Sequence, residues 1–411
     1  MTADAVGGVW QYATELAEAL RPQGVETVLA VLGPAPSQDQ LAAVESSLPP
    51  QAAPLAKAEA QPRDGRRYGD HLAIGPSPNP GLCRAGAERG VPIHVVHTDL
   101  PLDWLCDGPE PVLAAAQAIA DLARELRVDM VQLNSPTLAA AAHFHVPVIA
   151  VAHGCTATWW NAAHGVAPDP AYHWHADLMR AGLLAADAVV APSRSFASDL
   201  QRTYALPTTP EAIHNGRSSP SRPRRKGRGE QRSNEPVAAL HAFTAGRLWD
   251  RVKNTEVLDR VAARLSVPLR AAGPVTAPHG ETVHPDHLQL LGTLSGDTLA
   301  AELAQRPVFV SAAGFEPFGL AVLEAAAAGC ALVLSDIPTF RELWDGAAVF
   351  VPAQDDAAIA AVVQALLADP ARRETLAQAA RIRAARYTPE ATAAAMAALY
   401  ARLAPARRAA A

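Results

Sequence analysis

The sequence has little of what would mark a disulfide-rich, metal-binding or nucleic-acid-binding protein. Its 411 residues include four cysteines, Cys83, Cys106, Cys155 and Cys330, and no two of them form a CxxC pair. This scatter argues against a disulfide framework or a metal site and fits a reducing compartment. Aromatic residues make up 5% of the chain and the formal net charge is −6, so neither a base-stacking platform nor a basic surface for nucleic acid is expected.

No apolar run is long enough to cross a bilayer, and no stretch has the pattern of a signal peptide. We therefore expect a cytoplasmic protein, with at most peripheral contact at the inner membrane face. Apolar residues make up 49% of the 411 residues, which is ample for burial, and a chain of this length usually has more than one core. Two domains and a small-molecule substrate are the expectation.

The stretch from Ser311 to Asp336 carries the most information. Residues 308–310 predict a strand that ends in a loop carrying Glu316, and a helix follows in which Pro317 would take the first position. Gly329 is placed to end that helix with a positive φ, and the next buried parallel strand follows it.

This order of elements predicts an anion site. The free backbone N–H groups of Phe318, Gly319 and Leu320 would begin a helix whose dipole favours a phosphate or a diphosphate. Glu316 and Glu324 are eight positions apart, so each could reach a different end of such a ligand. A carboxylate only accepts hydrogen bonds and suits the paired hydroxyls of a sugar or a ribose. The predicted ligand is a diphosphate with a sugar on each side.

A glycine pair, Gly7 and Gly8, precedes an amphipathic helix at the start of the chain. Such a pair lets backbone approach a phosphate or an acceptor, although a flexible terminus before an ordinary helix is the alternative. Only residues 1–6 precede the pair. We therefore expect the first strand of this domain to be missing or truncated.

His153 follows a predicted buried strand over residues 147–151. Ligands of open α/β sheets bind outside the carboxyl ends of the strands, and the imidazole could donate a hydrogen bond to a sugar hydroxyl. A packed histidine satisfied by backbone is the alternative.

Two cations, Arg247 and Lys253, flank a predicted strand-to-helix loop in the second half of the chain. Together they could clamp a diphosphate and neutralise charge on a departing nucleotide. Surface cations are common, so this segment alone leaves the question open.

Together these segments resemble a known family. The run from Glu316 to Glu324, EPFGLAVLE, followed by Gly329 and Asp336, resembles the Glu-x7-Glu signature of the retaining glycosyltransferases of family 4, which have the GT-B fold. The segment from Arg247 to Lys253 is similar to the GR…K segment of the same enzymes. The resemblance implies an α/β fold class with two doubly wound Rossmann-like domains facing a cleft.

The resemblance also implies a division of the chain. Residues 1–216 would form an N-terminal, acceptor-side domain, and residues 217–238, rich in Arg, Ser and Pro, would be a linker. Residues 239–385 would bind the nucleotide sugar, and residues 386–411 would hold a helix that crosses back to the first domain.

The activity that the resemblance implies is retaining transfer of a hexose from UDP- or GDP-hexose to an acceptor hydroxyl, with the leaving phosphate helping to deprotonate the acceptor. The acceptor could be a saccharide, a lipid-linked compound or a small molecule. Neither a cofactor nor a metal is expected, since cations can supply the electrostatic stabilisation. The implied catalytic residues are Glu316 and His153.

The resemblance distributes the other contacts over both domains. Glu324 would bind the nucleotide ribose, and Arg247 and Lys253 the phosphates. The backbone of residues 318–320 would hold the donor hexose together with Glu316 and His153, and Gly7 and Gly8 would face the phosphate from the first domain. An aromatic wall for the acceptor would consist of Trp159, Trp160 and Tyr172.

Two other functions stay open at this point. A catalytically silent glycosyltransferase-like partner is favoured by the short first strand and the long linker, and opposed by the intact charged residues. A sugar-nucleotide epimerase of the same fold would need an acid and a base beside the glucose C2 position, and would release nucleotide without any acceptor.

Overall fold

The computed structural model describes residues 1–46, 91–218 and 240–404. The strands of its first half are β1 (Thr2–Asp4), β2 (Thr27–Leu32), β3 (Ile93–His97), β4 (Val131–Leu133), β5 (Val148–Val151), β6 (Ala188–Ala191) and β7 (Glu211–Ala212). All of their pairings are parallel, in the orders β1-β2-β3 and β4-β5-β6-β7. β1 and β4 lie side by side because Asn134 donates to Thr2 from both its backbone and its side-chain nitrogen.

The second half contains a six-stranded parallel sheet. Its strands are β8 (Ala242–Ala245), β9 (Leu269–Ala272), β10 (Gln289–Gly292), β11 (Val308–Ser311), β12 (Ala331–Ser335) and β13 (Val349–Val351). Their order is β10-β9-β8-β11-β12-β13. This is the doubly wound order, in which the direction of the connections reverses between the neighbouring strands β8 and β11. Ligands of such sheets bind beside that reversal, at the carboxyl ends of the strands.

Helices connect the strands. They are α1 (Gly8–Leu20), α2 (Gln38–Ser46), α3 (Pro109–Glu125), α4 (Thr156–His164), α5 (His173–Ala185), α6 (Arg194–Tyr204), α7 (Thr255–Arg264), α8 (Gly296–Ala304), α9 (Leu320–Ala328), α10 (Pro338–Trp344), α11 (Asp356–Ala368), α12 (Pro370–Ala384) and α13 (Pro389–Leu403).

The last helix, α13, packs on the first half of the chain. Its apolar residues Met396 and Leu399 share one buried cluster with Tyr12 and Leu16 of α1. Burying this apolar surface stabilises the contact between the chain's two ends. The predicted domain limits stay predictions, and most of the predicted linker, residues 219–238, lies outside the described residues.

The first strand is present and short. β1 has three residues, and it pairs in parallel register with Ala30, Val31 and Leu32 of β2. The strand is therefore present, which excludes the first of the two expected alternatives, a missing strand.

The helix of the most informative stretch differs from the expectation at its start. α9 begins at Leu320 and not at Pro317, because Gly319 has a φ of 93°, a left-handed conformation that a helical residue does not adopt. Pro317 and Phe318 therefore belong to the loop after β11. At the other end, Gly329 has a φ of 84° and ends the helix as predicted.

Candidate active site

The glycine pair of the first domain faces the second domain. A Cβ atom built on Gly7 would lie 3.7 Å from Nη1 of Arg247, and one on Gly8 would lie 3.0 Å from Cδ1 of Leu320. Any larger residue at Gly8 would push against the start of α9. Because Gly7 and Gly8 have no side chains, their loop can lie close to Arg247 and Leu320 of the second domain. The predicted phosphate-binding loops of the two domains therefore meet across a cleft.

The first cation, Arg247, lies at this junction. Its guanidinium donates to the buried carboxylate of Asp250 at 2.8 Å and lies 5.5 Å from the ring of Trp249. Burial raises the pKa of the Asp4 carboxyl at the end of β1, and the nearby charge of Arg247 opposes that rise. With 47% of its side chain exposed, Arg247 retains N–H groups that can bind an anion.

The second cation, Lys253, is paired with Glu316. Both side chains line one pocket with Gly246 and Gly319. Because Glu316 lies in the loop between β11 and α9, and Lys253 in the loop after β8, the pair joins two neighbouring strand ends. The sequence predicts separate ligands for these two charges, a hexose and a phosphate, and here they neutralise each other.

Glu324 is buried in α9 and has a partner that the sequence analysis missed. Its Oε1 accepts a hydrogen bond of 2.6 Å from Nε of Arg217, and Nη1 of Arg217 donates to Oε1 of Glu15 at 2.5 Å. Burial raises the pKa of the Glu15 carboxyl, although Arg217 opposes the rise. This ion triad, Glu15–Arg217–Glu324, connects α1, the chain after Gly216 and α9.

His153 follows β5 at the carboxyl end of the strands of the sheet β4-β5-β6-β7. Its ring lies 4.4 Å from that of Tyr12 on α1, and its Nε2 is 3.1 Å from Oδ1 of Asn134. Burial lowers the pKa of the imidazole to about 4, so the ring is neutral near pH 7. Its position at a strand end agrees with the sequence prediction, while its partner is a side chain that the prediction did not include.

The predicted aromatic wall is partly an interdomain contact. Nε1 of Trp159 donates to Oδ1 of Asp250 at 2.8 Å across the cleft. The ring of Trp160 packs 4.4 Å from His164 and 5.2 Å from Tyr172. Trp160, His164 and Tyr172 thus form an aromatic patch on and beside α4.

A second interdomain contact involves Glu342 of α10. Its carboxylate accepts hydrogen bonds from the backbone N–H groups of Arg194 and Ser195, at 2.9 and 2.7 Å, and contacts Nε2 of His214 at 3.1 Å. Burial favours a higher pKa for this carboxyl, but His214 and the two N–H groups hold the pKa below its usual range. Glu342 therefore acts as a charged cap on the N-terminus of α6.

Among residues 1–46, 91–218 and 240–404, no group of three or more His, Cys, Asp or Glu side chains is arranged to hold a metal ion. Metal independence stays a prediction. No helix in this same part of the chain is long and apolar enough to cross a membrane.

Comparison with known proteins shows the family to which the chain belongs. The sequence profile of Glycosyltransferase Family 4 matches residues 6–218, more than half of the 411 residues. The chain belongs to glycosyltransferase family 4. A second profile, Glycosyl transferases group 1, matches residues 281–383, which include Glu316 and Glu324. The protein is a glycosyltransferase.

Two relatives named for an enzymatic activity are 26–27% identical to this chain. Alpha-maltose-1-phosphate synthase of Mycobacterium tuberculosis is 27% identical over 318 residues, which cover 67% of this chain and 81% of the relative. The enzyme of the same name from Mycolicibacterium smegmatis is 26% identical over 361 residues, 72% of this chain and 90% of the relative.

Solved structures share the fold over nearly the whole chain. Sucrose-phosphate synthase of Thermosynechococcus elongatus superposes with a TM-score of 0.69 at 19% identity, covering 98% of this chain and 95% of the other. The Anabaena protein HepE in complex with UDP-glucose gives 0.64 at 15% identity, covering 98% and 100%. These similarities confirm two Rossmann-like bodies of the GT-B type.

Proposed function

We propose that this glycosyltransferase transfers a hexose from a nucleoside diphosphate sugar to a saccharide hydroxyl with retention of the anomeric configuration. The observation that carries the proposal is the meeting of the two loops. Gly7 and Gly8 leave room beside Arg247 and Leu320, where backbone N–H groups and a cation are available to an anion.

The diphosphate would lie between Arg247 and the start of α9. The loop N–H groups near Gly319 and the partial positive charge at the helix N-terminus favour an anion there. Lys253 lines a pocket together with Gly246 and Gly319, the neighbours in sequence of Arg247 and Leu320. These charges would stabilise the nucleoside diphosphate as it leaves, so the proposal includes neither a metal nor a cofactor.

The two carboxylates would bind the sugars on either side of the diphosphate. Glu324 has its Oε1 on Arg217, which leaves Oε2 for a ribose hydroxyl. Glu316, paired with Lys253, would accept from the hexose hydroxyls while the ammonium turns to the phosphate. HepE has been solved with UDP and with UDP-glucose, which makes a uridine donor the first to test.

The acceptor would lie towards α4. Trp160, His164 and Tyr172 form a patch there, and 40% of Tyr172 is exposed. Apolar faces of sugar rings pack on aromatic side chains of this kind, and the hydroxyl of Tyr172 can hydrogen-bond to a sugar hydroxyl. A saccharide acceptor fits this surface better than a charged one.

The test is a transfer assay with a panel of UDP- and GDP-hexoses and saccharide acceptors, with the product analysed by proton NMR at the anomeric centre. We expect retention, and a strongly raised donor KM in Glu324→Ala. Exposed Glu125 on α3 supplies the matched control, Glu125→Ala. Unchanged kinetics in Glu324→Ala would remove Glu324 from the ribose site.

Three other outcomes would overturn the proposal. An inverted product would contradict the retaining mechanism. Nucleotide release with epimerisation in the absence of any acceptor would identify an epimerase. Binding of a nucleoside diphosphate without turnover of any donor would favour a silent partner.

A further inference from the structure

Two amide side chains are buried at the β4 edge of the sheet β4-β5-β6-β7. Gln132 in β4 is 4% exposed, and Asn134 immediately after β4 is 7% exposed. An amide without partners is costly to bury. The hydrogen-bond partners of these two residues therefore show which groups at this edge donate and which accept.

The amide of Asn134 has one orientation. Its Nδ2 donates to the backbone oxygen of Thr2 at 2.6 Å, and this oxygen can only accept. Oδ1 therefore faces His153, whose Nε2 is 3.1 Å away, and it also accepts from Nε2 of Gln132 at 3.2 Å. An amide oxygen donates nothing, so the imidazole nitrogen must be the donor.

This fixes the chemistry of the other ring nitrogen. A neutral imidazole carries one proton. With that proton on Nε2, Nδ1 of His153 keeps its lone pair and accepts hydrogen bonds. From the sequence we expect the ring to donate to a sugar hydroxyl, whereas the contact with Asn134 leaves the ring an acceptor towards any such hydroxyl.

The same hydrogen-bond chain reaches the last helix. The hydroxyl of Tyr400 on α13 donates to Oε1 of Gln132 at 2.6 Å, and Nε2 of Gln132 reaches Oη of Tyr12 at 3.5 Å. The Tyr12 ring in turn contacts the ring of His153. The orientation of His153 is thus held by β4 on one side and by α1 on the other.

We propose that Asn134 is a positioning residue that fixes His153 as its Nε2–H tautomer, so that Nδ1 accepts a hydrogen bond from a hydroxyl of the bound hexose. The proposal rests on the proposed function for the presence of that hexose. The tautomer itself follows from contacts inside the first domain and does not depend on any substrate.

The experiment is NMR on the full chain labelled with ¹⁵N-histidine, with the His153 signals assigned through His153→Gln. Protonated and unprotonated ring nitrogens have well-separated shifts, so the tautomer is read directly. We expect Nε2–H in the wild type near pH 7.5. In Asn134→Leu, which has no acceptor, we expect a mixture of tautomers. Gln117→Leu makes the same amide-to-leucine change at an exposed position of α3 and should leave the His153 signals unchanged.

A conservative variant keeps the test decisive if Asn134→Leu does not fold. Asn134→Asp retains an acceptor oxygen towards His153, and as the protonated acid it can still donate to the backbone oxygen of Thr2, so it should keep the Nε2–H tautomer. A wild-type ring with its proton on Nδ1 would overturn the proposal. So would unchanged His153 signals in a folded Asn134→Leu, or a ring proton on Nδ1 in a folded Asn134→Asp.

Kinetics test the consequence for transfer. In Asn134→Leu we expect kcat/KM to fall about tenfold, the size of one lost hydrogen bond, with the dissociation constant of the nucleoside diphosphate within about twofold of the wild type. The predicted tautomer with unchanged kcat/KM would overturn the positioning role. If the wild type transfers no hexose, the proposed function fails and the positioning role with it, while the NMR result still reports whether Asn134 sets the tautomer.

Discussion

The ion triad Glu15–Arg217–Glu324 predicts a specific loss of stability when its cation is removed. Arg217→Met keeps much of the side chain's length and leaves two carboxylates facing each other without a counter-ion. The two carboxylates are close enough for the charge of Glu324 to raise the pKa of Glu15. Arg217 therefore offsets a repulsion as well as forming two hydrogen bonds.

The size of the loss follows from the burial of the triad. Breaking a buried ion pair by removing one partner costs about 3–5 kcal/mol. The side chains of Arg217, Glu15 and Glu324 are 20%, 13% and 9% exposed, so water screens part of the repulsion, and we expect about 2–3 kcal/mol. For a domain of about 150–250 residues this corresponds to a fall in Tm of roughly 5–10 °C.

Urea unfolding at pH 7.5 is the assay, with a double-mutant cycle as its check. Glu15→Gln removes one of the two carboxylates, so Arg217→Met/Glu15→Gln should regain about 1–2 kcal/mol relative to Arg217→Met. Lowering the pH should also narrow the deficit of Arg217→Met. Without Arg217 the pKa of Glu15 rises further above its unfolded value, and the protonated carboxyl no longer repels Glu324.

An exposed arginine provides the control. Arg202 on α6 pairs with Asp199, and 71% of its side chain is exposed. Arg202→Met should change the free energy of unfolding by less than about 0.5 kcal/mol. Wild-type stability in Arg217→Met, or an equal deficit in the double variant, would show that Arg217 does not offset a repulsion between Glu15 and Glu324.

Three further predictions concern the cleft and its pH dependence. In a calorimetric titration, Gly8→Val should raise the dissociation constant of the nucleoside diphosphate at least about tenfold, because the new side chain meets Leu320. Gly296→Val is the control, since a Cβ there meets nothing within 4 Å, and it should bind the nucleoside diphosphate normally. Glu342→Gln should lower the free energy of unfolding by about 1–3 kcal/mol at pH 7, and the gap from the wild type should close as the pH falls below 4.5 and Glu342 protonates; a gap independent of pH would contradict the cap. Stability should also fall as the pH drops from 6.5 towards about 4, because the unfolded chain protonates His153 first, and urea titrations of His153→Gln should lack this part of the loss.

The sequence could predict the parts of this molecule that depend on neighbouring residues. The order of apolar strand, loop and helix around Glu316 predicts a parallel α/β sheet, and Gly329 ends α9 where its positive φ is needed. The two doubly wound bodies are what the resemblance to family 4 implies. The start of α9 was harder to predict, because the preference for proline at a first helical position competes with the left-handed conformation of Gly319. Only the backbone angle decides between them.

Contacts between distant parts of the chain could not be predicted. Arg217 is 107 positions from Glu324 and 202 positions from Glu15, and no motif marks Arg217 as their partner. The polarity of His153 depends on which way the amide of Asn134 points, which is set by the backbone of β1. Both features arise from the packing of strand ends against each other and not from any local pattern.

The proposed activity requires the loops around Arg247 to bind the diphosphate of a nucleotide sugar. Its most direct test is a thermal-shift panel of UDP, GDP and ADP on the wild type and on Arg247→Ala. A nucleoside diphosphate at about 100 times its Kd stabilises the folded state by about 2.7 kcal/mol. We predict that one of the three raises the Tm of the wild type and has little effect on Arg247→Ala. No shift with any of the three, or the same shift in both proteins, would show that these loops do not bind the diphosphate through Arg247.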